Sequence, residues 1–139
     1  MITFDDSLWP LLTVTLTGTN SAQDFDTFQS KMTAYLNRGE KYLCIIDTSD
    51  LLSAPSMERR QRHVDWIRRN ELALRQRMLG CAFVITSPFV RLALNIVFQL
   101  KPLPCLYTNV GDVKVARAWA VERFRAAGLP IPSPLIRNP

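Results

Sequence analysis

The side chains best suited to surface chemistry lie in one stretch, residues 47–56, which directly follows an apolar run. The stretch supplies two carboxylates and four hydroxyls, and its candidate residues are Asp47, Thr48, Ser49, Ser53 and Ser56. Hydroxyls grouped at the start of a helix suit phosphorylation or the holding of an anion. The same residue types also end strands, form turns and cap helices for purely local reasons. We therefore treat these residues as candidate phosphoacceptors or partner contacts. A purely local role in strand ends, turns and caps is the alternative.

The sequence contains no motif for catalysis or metal binding. Glycine-rich phosphate loops, paired metal-binding histidines, CxxC pairs and nucleophile elbows are all absent. The single histidine, His63, lies within an arginine-rich segment, where we expect a surface residue. Cys44, Cys81 and Cys105 lie in or beside apolar runs, which favours buried thiols over a disulfide or a metal site. We predict a non-enzymatic protein with no catalytic residue, metal or cofactor.

Residues 56–79 have the apolar spacing of a helix and carry seven arginines against three acidic residues, so most of the formal net charge of +5 lies there. A solvated helix surface is the simplest explanation. Docking to an acidic protein or to an anionic membrane surface comes next. Nucleic acid is less favoured, because the arginines are not interleaved with aromatic residues other than Trp66. The candidate basic interaction face consists of Arg59, Arg62 and Arg69.

A second predicted helix, residues 88–100, is apolar on nearly every side. Such a helix must be buried on every side, by its own chain, by a second copy or around an apolar ligand. We favour a contact between proteins over a ligand, with Phe89, Ile96 and Phe98 as the candidate interface or pocket residues. Arg91 and the break at Ser87 argue against a membrane span here. With no signal peptide at the amino terminus, we expect a cytoplasmic protein.

Predicted strands and helices alternate along the chain, which is typical of an α/β fold. The predicted strands are 11–17, 41–47, 81–86 and 104–108, with a further short one at 2–4. We expect one domain over residues 1–127, with a mostly parallel four- to five-stranded sheet and helices on both faces. The first strand or two are expected at an antiparallel edge. Residues 128–139 are predicted to be a proline-rich tail, because they show no packing pattern.

The order of these elements, and the stretches 44–60, 82–109 and 115–120, resemble the STAS-like domains related to bacterial anti-sigma-factor antagonists. They look most like single-domain bacterial proteins grouped with that fold and with the related CRAL-TRIO-type lipid-binding fold. The resemblance extends to about residue 127. It implies a non-enzymatic protein-interaction or regulatory module.

In the antagonists, a serine at the start of the helix after a central strand is phosphorylated, and this switches partner binding. The resemblance makes Ser53 and Ser56 the corresponding candidates, although the aspartate and glycine of that turn are absent here. We therefore expect a module that binds another protein and forms a homodimer, with a phosphoswitch as a candidate means of regulation. The alternative is a carrier or sensor of an apolar or anionic small molecule, such as a lipid-like ligand, bound near helix 88–100.

Overall fold

The computed structural model describes residues 1–137, and over these residues the chain forms one five-stranded sheet and six helices. The strands are β1 (Ile2–Leu8), β2 (Leu11–Gly18), β3 (Tyr42–Leu51), β4 (Met78–Val84) and β5 (Leu106–Val110). The helices are α1 (Ala22–Leu36), α2 (Met57–Arg69), α3 (Glu71–Arg77), α4 (Pro88–Leu100), α5 (Val113–Ala127) and α6 (Ser133–Arg137).

The strands lie in the sheet in the order in which they occur along the chain, β1-β2-β3-β4-β5. β1 and β2 are antiparallel, whereas each later strand runs parallel to the one before it. The sheet is therefore mixed rather than mostly parallel, and the antiparallel edge that the sequence predicts is present. Only two residues separate β1 from β2, which suits a hairpin, while a helix connects each parallel pair.

Helices cover both faces of the sheet, as the sequence predicts, but unequally. Parallel strands taken in sequence through right-handed crossovers place their connecting helices on one face. That face carries α1 to α4, which contribute Phe28, Ile67 and Val97 to one core. α5 follows the last strand and packs on the opposite face, where Phe124 and the small Ala120 contribute to a second core.

The arginine-rich segment is two helices, not the single helix over 56–79 that its periodicity predicts. The break falls at Asn70, whose backbone leaves the helical region and whose side-chain amide donates to the Trp66 carbonyl at 2.9 Å. Gly80, which directly follows the predicted helix, lies inside β4. A Cβ atom there would lie 2.6 Å from the Trp119 ring, so the glycine permits α5 to pack closely on β4.

Two strands extend beyond their predicted limits. β3 continues to Leu51, so Asp47, Thr48 and Ser49 lie within the strand and not after it. β5 begins two residues later than predicted and is an edge strand, with Leu106 half exposed, so it is less buried than a core strand.

The carboxy-terminal segment packs on the domain although its sequence shows no packing pattern. Gly128 ends α5 in the left-handed conformation, with φ of 70°. Leu135 in α6 is only 1% exposed and belongs to the same core as Phe124. The predicted tail 128–139 therefore forms part of the domain as far as residue 137, and residues 138–139 lie outside the described residues.

We expect Leu135→Ala to lower the free energy of unfolding by about 2–5 kcal/mol, because it removes buried methyl groups and leaves a cavity beneath α6. Ile136→Ala is the matched control, since that neighbouring side chain is 59% exposed. It should change the free energy of unfolding by no more than about 0.5 kcal/mol. Urea unfolding followed by circular dichroism measures both, and equal effects would contradict the packing of α6.

Candidate functional site

A cavity of about 110 Å³ lies between the sheet and the helices on its more heavily covered face. The strands contribute residues from their carboxyl-terminal parts, namely Leu16, Ile46, Thr48, Leu51 and Phe83, and Ile85 follows directly after β4. The remaining walls come from α1, the loop before α2, α2 itself and α4. The cavity therefore lies between the sheet and its helices, toward the carboxyl ends of the strands.

Residue spacing explains why these side chains converge. Along β3, successive side chains alternate between faces, so Ile46 and Thr48 point to the cavity side. α4 presents Val90, Ala93 and Val97, which recur at three- and four-residue steps on one side of the helix. Ala93 is the smallest of these side chains, so α4 fills this part of the layer incompletely.

The charged side chains and the imidazole of the lining come from α2, which contributes Arg59, Arg60 and His63. Arg59 is held in place, because its Nη1 atom donates to the Asn20 carbonyl at 2.7 Å. The guanidinium of Arg60 makes no hydrogen bond or ion pair with any of residues 1–137. No aspartate or glutamate of the described chain lines the cavity. The cavity thus has an apolar body and a purely cationic charged part.

His63 is partly buried and packs between aromatic rings, which corrects its expected place on the surface. Its ring lies 5.9 Å from that of Trp66, nearly parallel to it, and 6.3 Å from that of Phe28. Burial lowers the pKa of His63 from 6.5 to about 4, so the imidazole is neutral at neutral pH. The spacing of His63 from Arg60 and Ile67 places it on the apolar side of α2, and this periodicity could have identified it.

The three polar residues of β3 are engaged within the protein. Thr48 is buried, and its hydroxyl donates to the Val84 carbonyl at 2.7 Å. Asp47 accepts from both the backbone N–H and the hydroxyl of Ser49, at 3.0 and 2.6 Å. By alternation, Asp47 and Ser49 lie on the face of the sheet that α5 covers. Of the three, only Thr48 reaches the cavity.

The two serines before α2 differ in their environment. Ser56 is the N-cap of α2, and its hydroxyl accepts from the Arg59 N–H at 3.2 Å. Ser53 is exposed and has no hydrogen-bond partner in the described part of the chain. It lines a shallow groove next to the cavity, together with Leu52 and Phe89. The two features share Leu51 and Val90 as lining residues.

The predicted basic face does not form one free surface. Arg62 makes an ion pair with Asp26 of α1, and Arg59 is bound to a backbone carbonyl. Arg69 is exposed and has no ion-pair partner among residues 1–137. Two of the three arginines therefore attach α2 to the region around α1, and only Arg69 is available on the surface.

The three candidate residues of α4 differ in their exposure to solvent. Phe89 is 76% exposed, whereas Phe98 packs in the core against Phe83 and Tyr107, with ring centroids 5.6 and 4.6 Å away. Ile96 is partly buried, and none of the three lines the cavity as the structure describes it. Leu92 and Leu100 are exposed as well. The chain described here thus leaves an apolar side of α4 uncovered, contrary to the expectation of burial on every side.

Cys44 and Cys81 are buried free thiols that lie opposite each other on β3 and β4. Burial raises the pKa of Cys81, and it raises that of the partly buried Cys105 to about 12, so both are protonated at neutral pH. Within residues 1–137, no three His, Cys, Asp or Glu side chains are grouped as metal ligands.

The fold and the site together define a single α/β domain with a mixed sheet and an apolar cavity at the carboxyl ends of its strands. No protein-family model matches the chain, and no curated protein matches it either. None of the helices described above is long and apolar enough to cross a bilayer. The resemblance to STAS-like domains therefore stays a prediction.

The stability of the protein should fall as the pH decreases below about 6.5, because of His63. Its pKa of about 4 in the folded state lies below the value of 6.5 expected after unfolding. The unfolded state therefore binds more protons in this range, and the free energy of unfolding decreases by up to about 1.4 kcal/mol per pH unit.

Urea unfolding from about pH 6.5 down to roughly pH 5, above the range in which most carboxylates titrate, measures this slope. His63→Gln should flatten it, since the variant cannot take up the proton. An unchanged slope would show that His63 is not buried as described.

Proposed function

We propose that this chain is a non-enzymatic carrier or sensor that binds a small apolar molecule in the cavity between α2, α4 and the sheet. The observation that supports the proposal is the cavity itself, an apolar recess between the helices and the carboxyl-terminal part of the sheet. Its volume of about 110 Å³ is close to that of an engineered cavity of roughly 150 Å³ that accepts benzene. A single ring or a short branched chain therefore matches it in size.

The small residue on α4 also supports a bound ligand. A larger residue in place of Ala93 would fill the space at little cost in helix propensity, since leucine is nearly as good a helix former as alanine. With alanine, the apolar lining stays available, and a bound apolar group would cover it.

Replacing Ala93 with leucine should fill the cavity and abolish binding of an apolar probe. Toluene is a suitable probe, and its binding is followed by shifts in the methyl resonances of Val90 and Val97. The wild-type protein should show saturable shifts, and Ala93→Leu should show none while remaining at least as stable. Ala118→Leu, an exposed position on α5, is the control and should bind like the wild type. Unaltered toluene binding by Ala93→Leu would contradict the proposed site.

A second candidate is a protein-interaction module of the regulatory type, favoured by the exposed apolar residues beside the cavity. Leu52 and Phe89 are 80% and 76% exposed and line the same groove as Ser53. The partner would be a protein that places an apolar side chain in this groove and acidic groups near the surplus positive charge of the chain. A phosphate on Ser53 would add nearly two negative charges to this apolar surface and weaken such a contact.

This candidate predicts phosphorylation of Ser53 and not of Ser56. The Ser53 hydroxyl is exposed and has no partner, whereas the Ser56 hydroxyl caps α2. Mass spectrometry of the protein purified from its own host determines the modified residue, with Ser53→Ala as the control. Phosphate on Ser56, with none on Ser53, would exclude the switch in this form.

A further inference from the structure

We propose that the ligand is a small carboxylic acid, whose carboxylate is bound by Arg60 and whose ring or short chain occupies the cavity. This inference rests on the proposed carrier or sensor function and names its ligand class. The observation behind it is the juxtaposition of an apolar recess with an arginine that lacks a counterion.

The arginines on this part of α2 differ in what they bind. Arg62 pairs with Asp26, and Arg59 donates to the Asn20 carbonyl. Arg60 lies between them in the sequence, lines the cavity and is partly buried, yet its guanidinium has no acceptor among residues 1–137. Its N–H donors are therefore available to an acceptor that does not belong to the described chain.

Nearby acidic groups do not neutralise Arg60. Two acidic residues flank Phe25 in the chain: Asp26 pairs with Arg62, and Asp24 accepts from the Ser21 N–H at 3.0 Å as part of the capping box of α1. That hydrogen bond lowers the pKa of Asp24, so its carboxylate is already engaged. Glu58 is exposed on α2 and makes no ion pair in the described chain. A carboxylate from outside the chain can therefore satisfy Arg60.

The other polar groups of the lining suit a carboxylate. Arg59 has free donors besides the one bound to Asn20, so it can share the carboxylate with Arg60. His63 is neutral and can contribute one N–H donor without adding charge. A planar carboxylate suits a guanidinium, which forms two parallel hydrogen bonds with it. The remaining lining is apolar and accepts the rest of a small molecule.

The test compares phenylacetate with its neutral analogue phenylacetamide and with toluene, by NMR titration at constant pH and salt. Phenylacetate should bind the wild-type protein at least about tenfold more tightly than the amide, because hydrogen bonds to charged groups contribute more. Arg60→Gln should weaken phenylacetate binding by about tenfold or more and leave toluene binding unchanged. Arg68→Gln removes the same charge from an exposed position of α2 and should have little effect.

The outcomes separate the two levels of the proposal. If phenylacetate and phenylacetamide bind equally well and Arg60→Gln changes neither, the ligand is not an acid, and the apolar site remains. If Arg68→Gln weakens phenylacetate as much as Arg60→Gln, the preference reflects net charge and not recognition by Arg60. If none of the three compounds binds, the proposed carrier or sensor function fails together with this inference.

Discussion

The arrangement of this domain depends on the burial of β3 on both faces of the sheet. Four consecutive side chains, from Tyr42 to Ile45, are fully buried, two against each core. A strand covered on both sides has little freedom to shift register, because a slip of one residue would exchange the two sets of side chains. Its neighbours and the connecting helices are positioned relative to it, and its carboxyl-terminal part supplies the floor of the cavity.

The two faces of the sheet differ in how closely the helices pack on them, and the cavity lies on the less closely packed face. On the face of α5, Gly80 removes a side chain from β4, and the Trp119 ring fills the space closely. On the opposite face, α4 presents Ala93 above Phe83 and Ile85, and the space remains open. A small residue thus has opposite effects on the two faces. Gly80 allows close packing, whereas Ala93 leaves a space unfilled.

The sequence was most informative where the interactions are local. Ser21, Ser87 and Asp112 are of the residue types that favour the N-cap position, and each accepts a backbone hydrogen bond from the first turn of its helix. The site was harder to predict, because contacts between distant segments determine it. His63 of α2 packs on Phe28 of α1. Leu135 of α6 is buried in the same core as Phe124 of α5. Periodicity shows which side of a helix is apolar but not which side chain leaves space.

The arginine-rich helix shows why a run of like charges is a poor guide to function until its partners are known. Arg59 and Arg62 bind groups on or before α1, so their charges hold two elements together. Arg68 and Arg69 point to solvent near the carboxyl end of α2, where positive charge stabilises the helix dipole. Arg60 fits neither explanation, since it lies on the apolar side of the helix. Its guanidinium lines the cavity and has no ion-pair partner among residues 1–137.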